Sequence, residues 1–236
     1  MRRRTDHRQH ATAAVLLLSA AVALSACEPE PPSTPDPILP SSADLNSTPG
    51  PPLPEDAIIE PAGTGEVSKQ STADVYGSYR PDDKKPEERV PNILARGRLI
   101  VGVDRSNNLL SYRDTASGEV RGFEVDIARE IARDIFGDPD KVDFRFVEAS
   151  DRARALNDRT VDMVIRTMTI SPERQREVAF SIPYMQTDAR LLVLKNSGIH
   201  SIAEAAGLTL CAAKGSTMVD AIRKHSPSSD ILETRA

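Results

Sequence analysis

Apolar residues fall four apart at Phe123, Ile127, Ile131 and Ile135, with Ala128, Ala132 and Phe136 beside them. That spacing predicts an amphipathic helix, stopped by Gly137. Upstream, Arg98 to Val103 (RLIVGV) is a continuous apolar run that fits a buried strand. Downstream, Val142 to Val147 (VDFRFV) alternates as a strand, Asp151 to Leu156 forms a short helix, and Val161 to Ile165 (VDMVI) reads as another strand. Pro139 and Asp158 mark the turns between them. Strands separated by helices imply an α/β chain with parallel pairing and right-handed crossovers. Ala189 to Leu194 (ARLLVL) is a further expected strand. Leu208 to Ala213 is the next, followed by a Lys214-Gly215-Ser216-Thr217 turn and an amphipathic helix through Ile222. Ala236 follows what reads as the second strand of a new α/β unit, so that unit is expected to be incomplete and the chain a fragment or truncated product.

The N-terminus follows different rules. Arg2, Arg3, Arg4 and Arg8 precede an unbroken small and apolar run from Ala11 to Ala26, the layout of a secretory signal. The run is shorter than the ~20 residues a spanning helix needs. It ends in Leu24-Ser25-Ala26-Cys27, which resembles a bacterial lipobox, with Cys27 as the lipidated residue; a plain signal anchor with an incidental cysteine is the alternative. Arg3-Arg4 lacks the apolar pair of a twin-arginine signal. Most of the 18 prolines lie between Glu28 and Glu88. That stretch has few large apolar residues to offset the entropy of ordering, so an extended or disordered tether is expected there.

Charge excludes one class of function. With 30 Lys+Arg against 35 Asp+Glu, the net charge is −5 and no basic footprint for nucleic acid is present. Lys214-Gly215-Ser216 is not a phosphate loop, because the GxxxxG frame is missing. His200 and His225 have no metal-ligand spacing, and no metal or other cofactor is expected. Cys211 sits on an expected buried strand, either as a small buried hydrophobe or as half of a disulfide.

Parallel sheets bind ligands at the carboxyl ends of their strands. Two such ends carry suitable residues: Val103 to Asn108, and Ile165 to Arg174. In the second, Ser171 and Pro172 start a helix as N-cap and N1, and Thr169 and Arg174 could meet a carboxylate. Arginine suits that task through its planar fork. Taken alone, Ser171-Pro172-Glu173-Arg174 also reads as an ordinary capped surface helix. Arg166 on an otherwise apolar strand shifts the balance, since a charge there needs a partner or a cleft.

Two blocks carry a family resemblance. The helix from Gly122 to Ile135, and the stretch from Val161 through Arg174 with Val178 to Tyr184, resemble the extracellular solute-binding proteins of family 3, the polar amino-acid binders of ABC importers. The resemblance covers about residues 90 to 225. It implies a type II periplasmic-binding-protein-like fold in which two α/β lobes close on one amino acid. The implied organisation is a signal peptide at 1–26, a lipidated Cys27 with its tether at 27–88, a first lobe at 89–188, and a hinge strand with a partial second lobe at 189–236. The implied roles fall on Arg174 for the ligand carboxylate, on Thr169 and the Thr167 backbone for its two ends, on Asp104 near the mouth of the first strand, and on Ser216 and Thr217 as the second wall.

The departures concern the ligand. Relatives often place aromatic rings where this chain has Asn107 and Ala149, and a small residue where it has Arg166. An extra cation beside Arg174 would suit aspartate or glutamate, with asparagine and glutamine as competitors. The family's usual acidic clamp for the amino group would fall beyond Ala236. The expected partners are an amino acid, the outer face of the cell membrane through a lipid, and either an ABC permease or a membrane sensor that governs a kinase. An enzyme of the related dehydratase or transglycosylase kind would need a nucleophile and base pairing that the sequence does not display.

Overall fold

The computed structural model describes residues 52–68, 73–78, 80 and 82–235, all within one compact unit. The signal segment and Cys27 lie outside the described residues. In chain order, strand β1 (Ile58–Glu60) precedes two short helices, α1 (Pro86–Arg89) and α2 (Pro91–Arg96). Then come β2 (Leu99–Val103), β3 (Ser106–Asn107), β4 (Ser111–Arg113), β5 (Val120–Arg121), the long helix α3 (Phe123–Phe136) and β6 (Val142–Phe146). A 3-10 turn at Ala149–Asp151 leads into α4 (Arg152–Asn157), followed by β7 (Met163–Val164) and the single turn α5 (Pro172–Gln175). The last elements are β8 (Leu210–Ala213), α6 (Thr217–His225) and β9 (Ile231–Thr234).

The first core forms around β2, which pairs in parallel with β6 on one side and β7 on the other. Leu99, Val101 and Val103 share one face of the strand and are almost completely enclosed there. Helix α3 lies on this sheet through Ala128 and Ala132, with Ile127, Ile131 and Ile135 packed at the sides. The expected stripe is therefore rotated. Small alanines let the helix backbone approach the sheet, and Phe123 is left 45% exposed, 6.4 Å from the Tyr184 ring. Gly137 ends the helix as expected, its N–H donating to the Arg133 carbonyl at 2.7 Å. The antiparallel set β3-β4-β5 was not visible in the sequence pattern, its two- and three-residue strands being too short to show a period.

The second core gathers Ala205, Leu210, Ala212, Val219, Ile222 and Ile231 between α6 and the sheet β1-β9-β8. Strands β8 and β9 are parallel, as a β-α-β unit demands. Two sequence expectations change here. Cys211 is exposed on the outer face of β8, because Leu210 and Ala212 take the inward positions of the alternation. Ala189 to Leu194 forms no ladder among the described residues, and Leu192 is 97% exposed. An apolar run becomes a strand only where a neighbouring backbone supplies its hydrogen bonds.

The expected tether is also partly ordered. Within 27–88, β1 pairs antiparallel with β9 in the register Ile58↔Glu233, Ile59↔Leu232 and Glu60↔Ile231. Main-chain bonding to an open sheet edge needs no apolar side chains, and both Ile58 and Ile59 stay half exposed. The strand is clamped by an ion pair from Glu60 to Arg223 on α6, with Arg223 Nε donating to Glu60 Oε1 at 2.9 Å.

This clamp generates a pH signature. The hydrogen bond and charge of Arg223 hold the Glu60 carboxyl below its ordinary 4.5, against the opposing effect of burial. A carboxylate depressed in the folded state stabilises above its unfolded pKa, and loses that contribution as pH falls through the folded one. Glu60→Gln is therefore expected to lower the melting temperature at pH 7, with the gap to wild type closing in more acid solution. A gap that stays constant with pH would assign the loss to something other than the ion pair.

Candidate functional site

A cleft of about 790 Å³ lies between the carboxyl end of the first sheet and the start of α6. Thr169 and Arg174 line it from the first side, and Gly215, Ser216, Thr217 and Asp220 from the second. Ser171 caps α5 as expected, its hydroxyl accepting the Arg174 N–H, so the arginine leaves the first turn facing the cleft. The guanidinium donates to the Thr169 carbonyl at 2.8 Å and to the Gly215 carbonyl at 2.9 Å. Burial lowers its pKa, opposed chiefly by the carboxylate of Asp220. Across the cleft, Ser216 caps α6, and the Thr217 hydroxyl lies 3.4 Å from that of Thr169.

The two sides also touch at Gly215. Its φ of +72° favours glycine, and a Cβ there would stand 2.9 Å from the Cα of Ser150. Its carbonyl also accepts from Arg152 Nη2 at 3.3 Å, so two guanidinium groups converge on one oxygen. Arg152 was not singled out in the sequence. The available signal was the three-residue spacing of Ala149, Arg152 and Ala155, which places all three on the buried side of their turn. Burial, together with the charges of Arg174 and Arg166, lowers the Arg152 pKa to about 10.

Four expected site residues, Asp104, Asn107, Arg166 and Thr167, do not line this cleft. Arg166 and Asp104 are both buried and pair with each other, Nη2 to Oδ2 at 3.0 Å. The other Asp104 oxygen accepts the N–H groups of Arg105 and Ser106, at 2.7 and 3.0 Å. A cation at the end of an apolar strand has thus found a carboxylate at the end of the adjacent strand, and its charge is not presented beside Arg174. The Thr167 N–H is engaged by Glu124 Oε1 at 2.7 Å and the Tyr184 hydroxyl at 3.1 Å. Glu124 is fully enclosed and also accepts from the Tyr184 hydroxyl at 2.6 Å, while burial and that carboxylate raise the Tyr184 pKa. Asn107 pairs with Ser111 in the antiparallel set, away from the cleft. Among the described residues no group of three or more metal-ligating side chains occurs.

Residues 99–230 match the bacterial extracellular solute-binding proteins, family 3. The glutamine-binding protein of Geobacillus stearothermophilus is 42% identical over 142 residues, covering 60% of this chain and 54% of the relative. The ABC transporter glutamine-binding protein GlnH of Bacillus subtilis is 35% identical over 170 residues, covering 72% of this chain and 57% of the relative. The chain thus spans just over half the length of these relatives. Among solved structures, the cysteine-binding protein of Campylobacter jejuni superposes with a TM-score of 0.56 at 29% identity, over 61% of this chain and 58% of that one.

The Asp104–Arg166 pair yields a stability prediction. Arg166→Ala is expected to cost about 3–5 kcal/mol in urea unfolding, because it strands a buried carboxylate. Adding Asp104→Asn is expected to recover most of that loss, since the amide oxygen still accepts the two backbone N–H groups. Additive losses in the double variant would show that the two residues stabilise the fold independently.

Proposed function

Since the chain belongs to the bacterial extracellular solute-binding proteins, family 3, we propose that its cleft binds a polar amino acid outside the cytoplasm and presents it to an ABC importer. The observation that carries this reading is Arg174, a partly buried guanidinium whose hydrogen-bond partners among the described residues are main-chain carbonyls on opposite walls of the cleft. A ligand carboxylate offers the same fork two charge-assisted bonds in place of two neutral ones, so the exchange favours binding. Thr169 and Thr217 supply hydroxyls beside that position, and the capped start of α6 supplies backbone N–H groups.

The preferred ligand is glutamine, with glutamate, aspartate and asparagine as competitors. Pairing of Arg166 with Asp104 removes the reason to rank acidic ligands first. The two relatives described by name as glutamine-binding support the amide. In this reading the two cores are lobes that close over the ligand, and the closed form is what the membrane partner recognises. Cys27 carries the lipid that keeps the protein at the outer face of the membrane.

The test is calorimetric titration of the full chain in mild detergent with each of the twenty amino acids. A selective heat with glutamine or its acidic and amide neighbours is expected. Arg174→Ala is expected to weaken that ligand by about thirtyfold or more, since it removes a desolvated charge partner. No binding by the wild type, or unchanged affinity in the variant, would remove the proposed site.

A further inference from the structure

The family match begins at residue 99, yet the chain ahead of it touches both sides of the cleft. On the second core, β1 extends the sheet by pairing with β9, Glu60 is held by Arg223 on α6, and the Ala62 N–H donates to Asp230 at 2.8 Å. Farther along, the Glu66 carbonyl accepts from Arg223 at 3.3 Å, and the Ser68 hydroxyl donates to Asp220 Oδ2 at 2.5 Å. On the first side, the next described stretch meets α5 and the chain that follows it. The Asp74 carbonyl accepts from Gln175 Nε2 at 2.8 Å, while Val75 and Gly77 share a cavity of about 220 Å³ with Val178 and Phe180. The chain then joins the first core through Ile93 on α2.

Ser68 and Ala73 both line the main cleft, so the chain passes from one side to the other at the cleft itself. Asp74 lies six residues beyond Ser68, and a fully extended chain of that length spans about 20 Å at most. The two ends are held unequally. Backbone pairing and a partly buried ion pair fix the end on the second core. The other end rests on an exposed hydrogen bond beside incompletely filled space, where few dispersion contacts support it.

We propose that the segments 58–68 and 74–78 are the two ends of a strap across the cleft, which limits how far the two cores separate and so favours ligand capture. Its effect on binding rests on the reading of the cleft as an amino-acid site that closes over its ligand; its effect on separation does not. With the widest arrangements removed, a larger fraction of the ligand-free protein lies near the binding-competent one, and apparent affinity rises with that fraction.

The experiment lengthens the strap in the full chain by inserting about twelve glycine and serine residues between Ser71 and Thr72, which triples the chain length from Ser68 to Asp74. Core separation is read without ligand from spin-label distances between Asp134→Cys on α3 and Lys224→Cys on α6, both exposed positions, with Cys27→Ser and Cys211→Ser removing the native thiols. Affinity for glutamine, glutamate and aspartate is read by calorimetry. The insertion is expected to spread the distances toward longer values and to weaken the bound amino acid by up to about fivefold, the three-halves power of the length ratio. Gln175→Ala, which frees the lighter end at unchanged chain length, is expected to shift both readouts in the same direction by less. Thermal unfolding confirms that each variant is folded. Distances unchanged by the insertion would overturn the strap. Broadened distances with unchanged affinity would overturn its part in ligand capture. A wild type that binds no amino acid, with distances that still broaden on insertion, would overturn the reading of the cleft and leave the strap in place.

Discussion

The loop from Arg166 to Thr169 is fixed by buried charges, and the candidate site depends on that. Arg166 is tied to Asp104 at the end of the neighbouring strand, its carbonyl accepts from Arg152 at 3.2 Å, and the next N–H is taken by Glu124. Thr167 adopts a φ of +37°, a conformation that a non-glycine residue holds only when its surroundings impose it. Such charges are costly to bury, and each becomes tolerable because another polar group answers it. The outcome is a rigid exit from β7 that delivers Thr169 and then Arg174 to one wall of the cleft.

That arrangement explains how a cleft can be cationic without being saturated. Arg166 is neutralised by Asp104 beneath the loop, whereas Arg174 and Arg152 reach the Gly215 carbonyl. A carbonyl satisfies hydrogen-bond geometry but carries no formal charge, so the guanidinium groups stay desolvated and attractive to an anion. This one oxygen, with the Thr169 and Thr217 hydroxyls, joins the two sides.

The opposite end of the cleft rests on a different kind of interaction. Backbone pairing of β1 with β9 adds a strand using only main-chain groups, and the Glu60–Arg223 pair then passes that anchorage to α6. Proline-rich flanks are compatible with an edge strand, because its outer N–H groups need no partner within the sheet. A segment whose composition reads as a spacer thus becomes a structural neighbour of the cleft.

The sequence pattern was enough for β2, α3, β6, α4, β8 and α6, through period in α3, β6 and α6 and through short apolar runs bounded by turn residues in the others. Ser171, Pro172 and Ser216 were legible as helix starts, because capping is settled by residues adjacent in the chain. Arg174, Thr169, Ser216 and Thr217, whose roles the family resemblance implied, share the cleft. The partnership of Arg166 with Asp104, the inward turn of Arg152, the outward turn of Cys211 and the docking of β1 were decided only by tertiary structure. Each depends on which group from a distant part of the chain arrives within hydrogen-bonding reach, or on which face of a strand the core covers. A one-dimensional pattern records the need of a buried charge or an open strand edge for a partner, but only the folded chain determines which partner meets it.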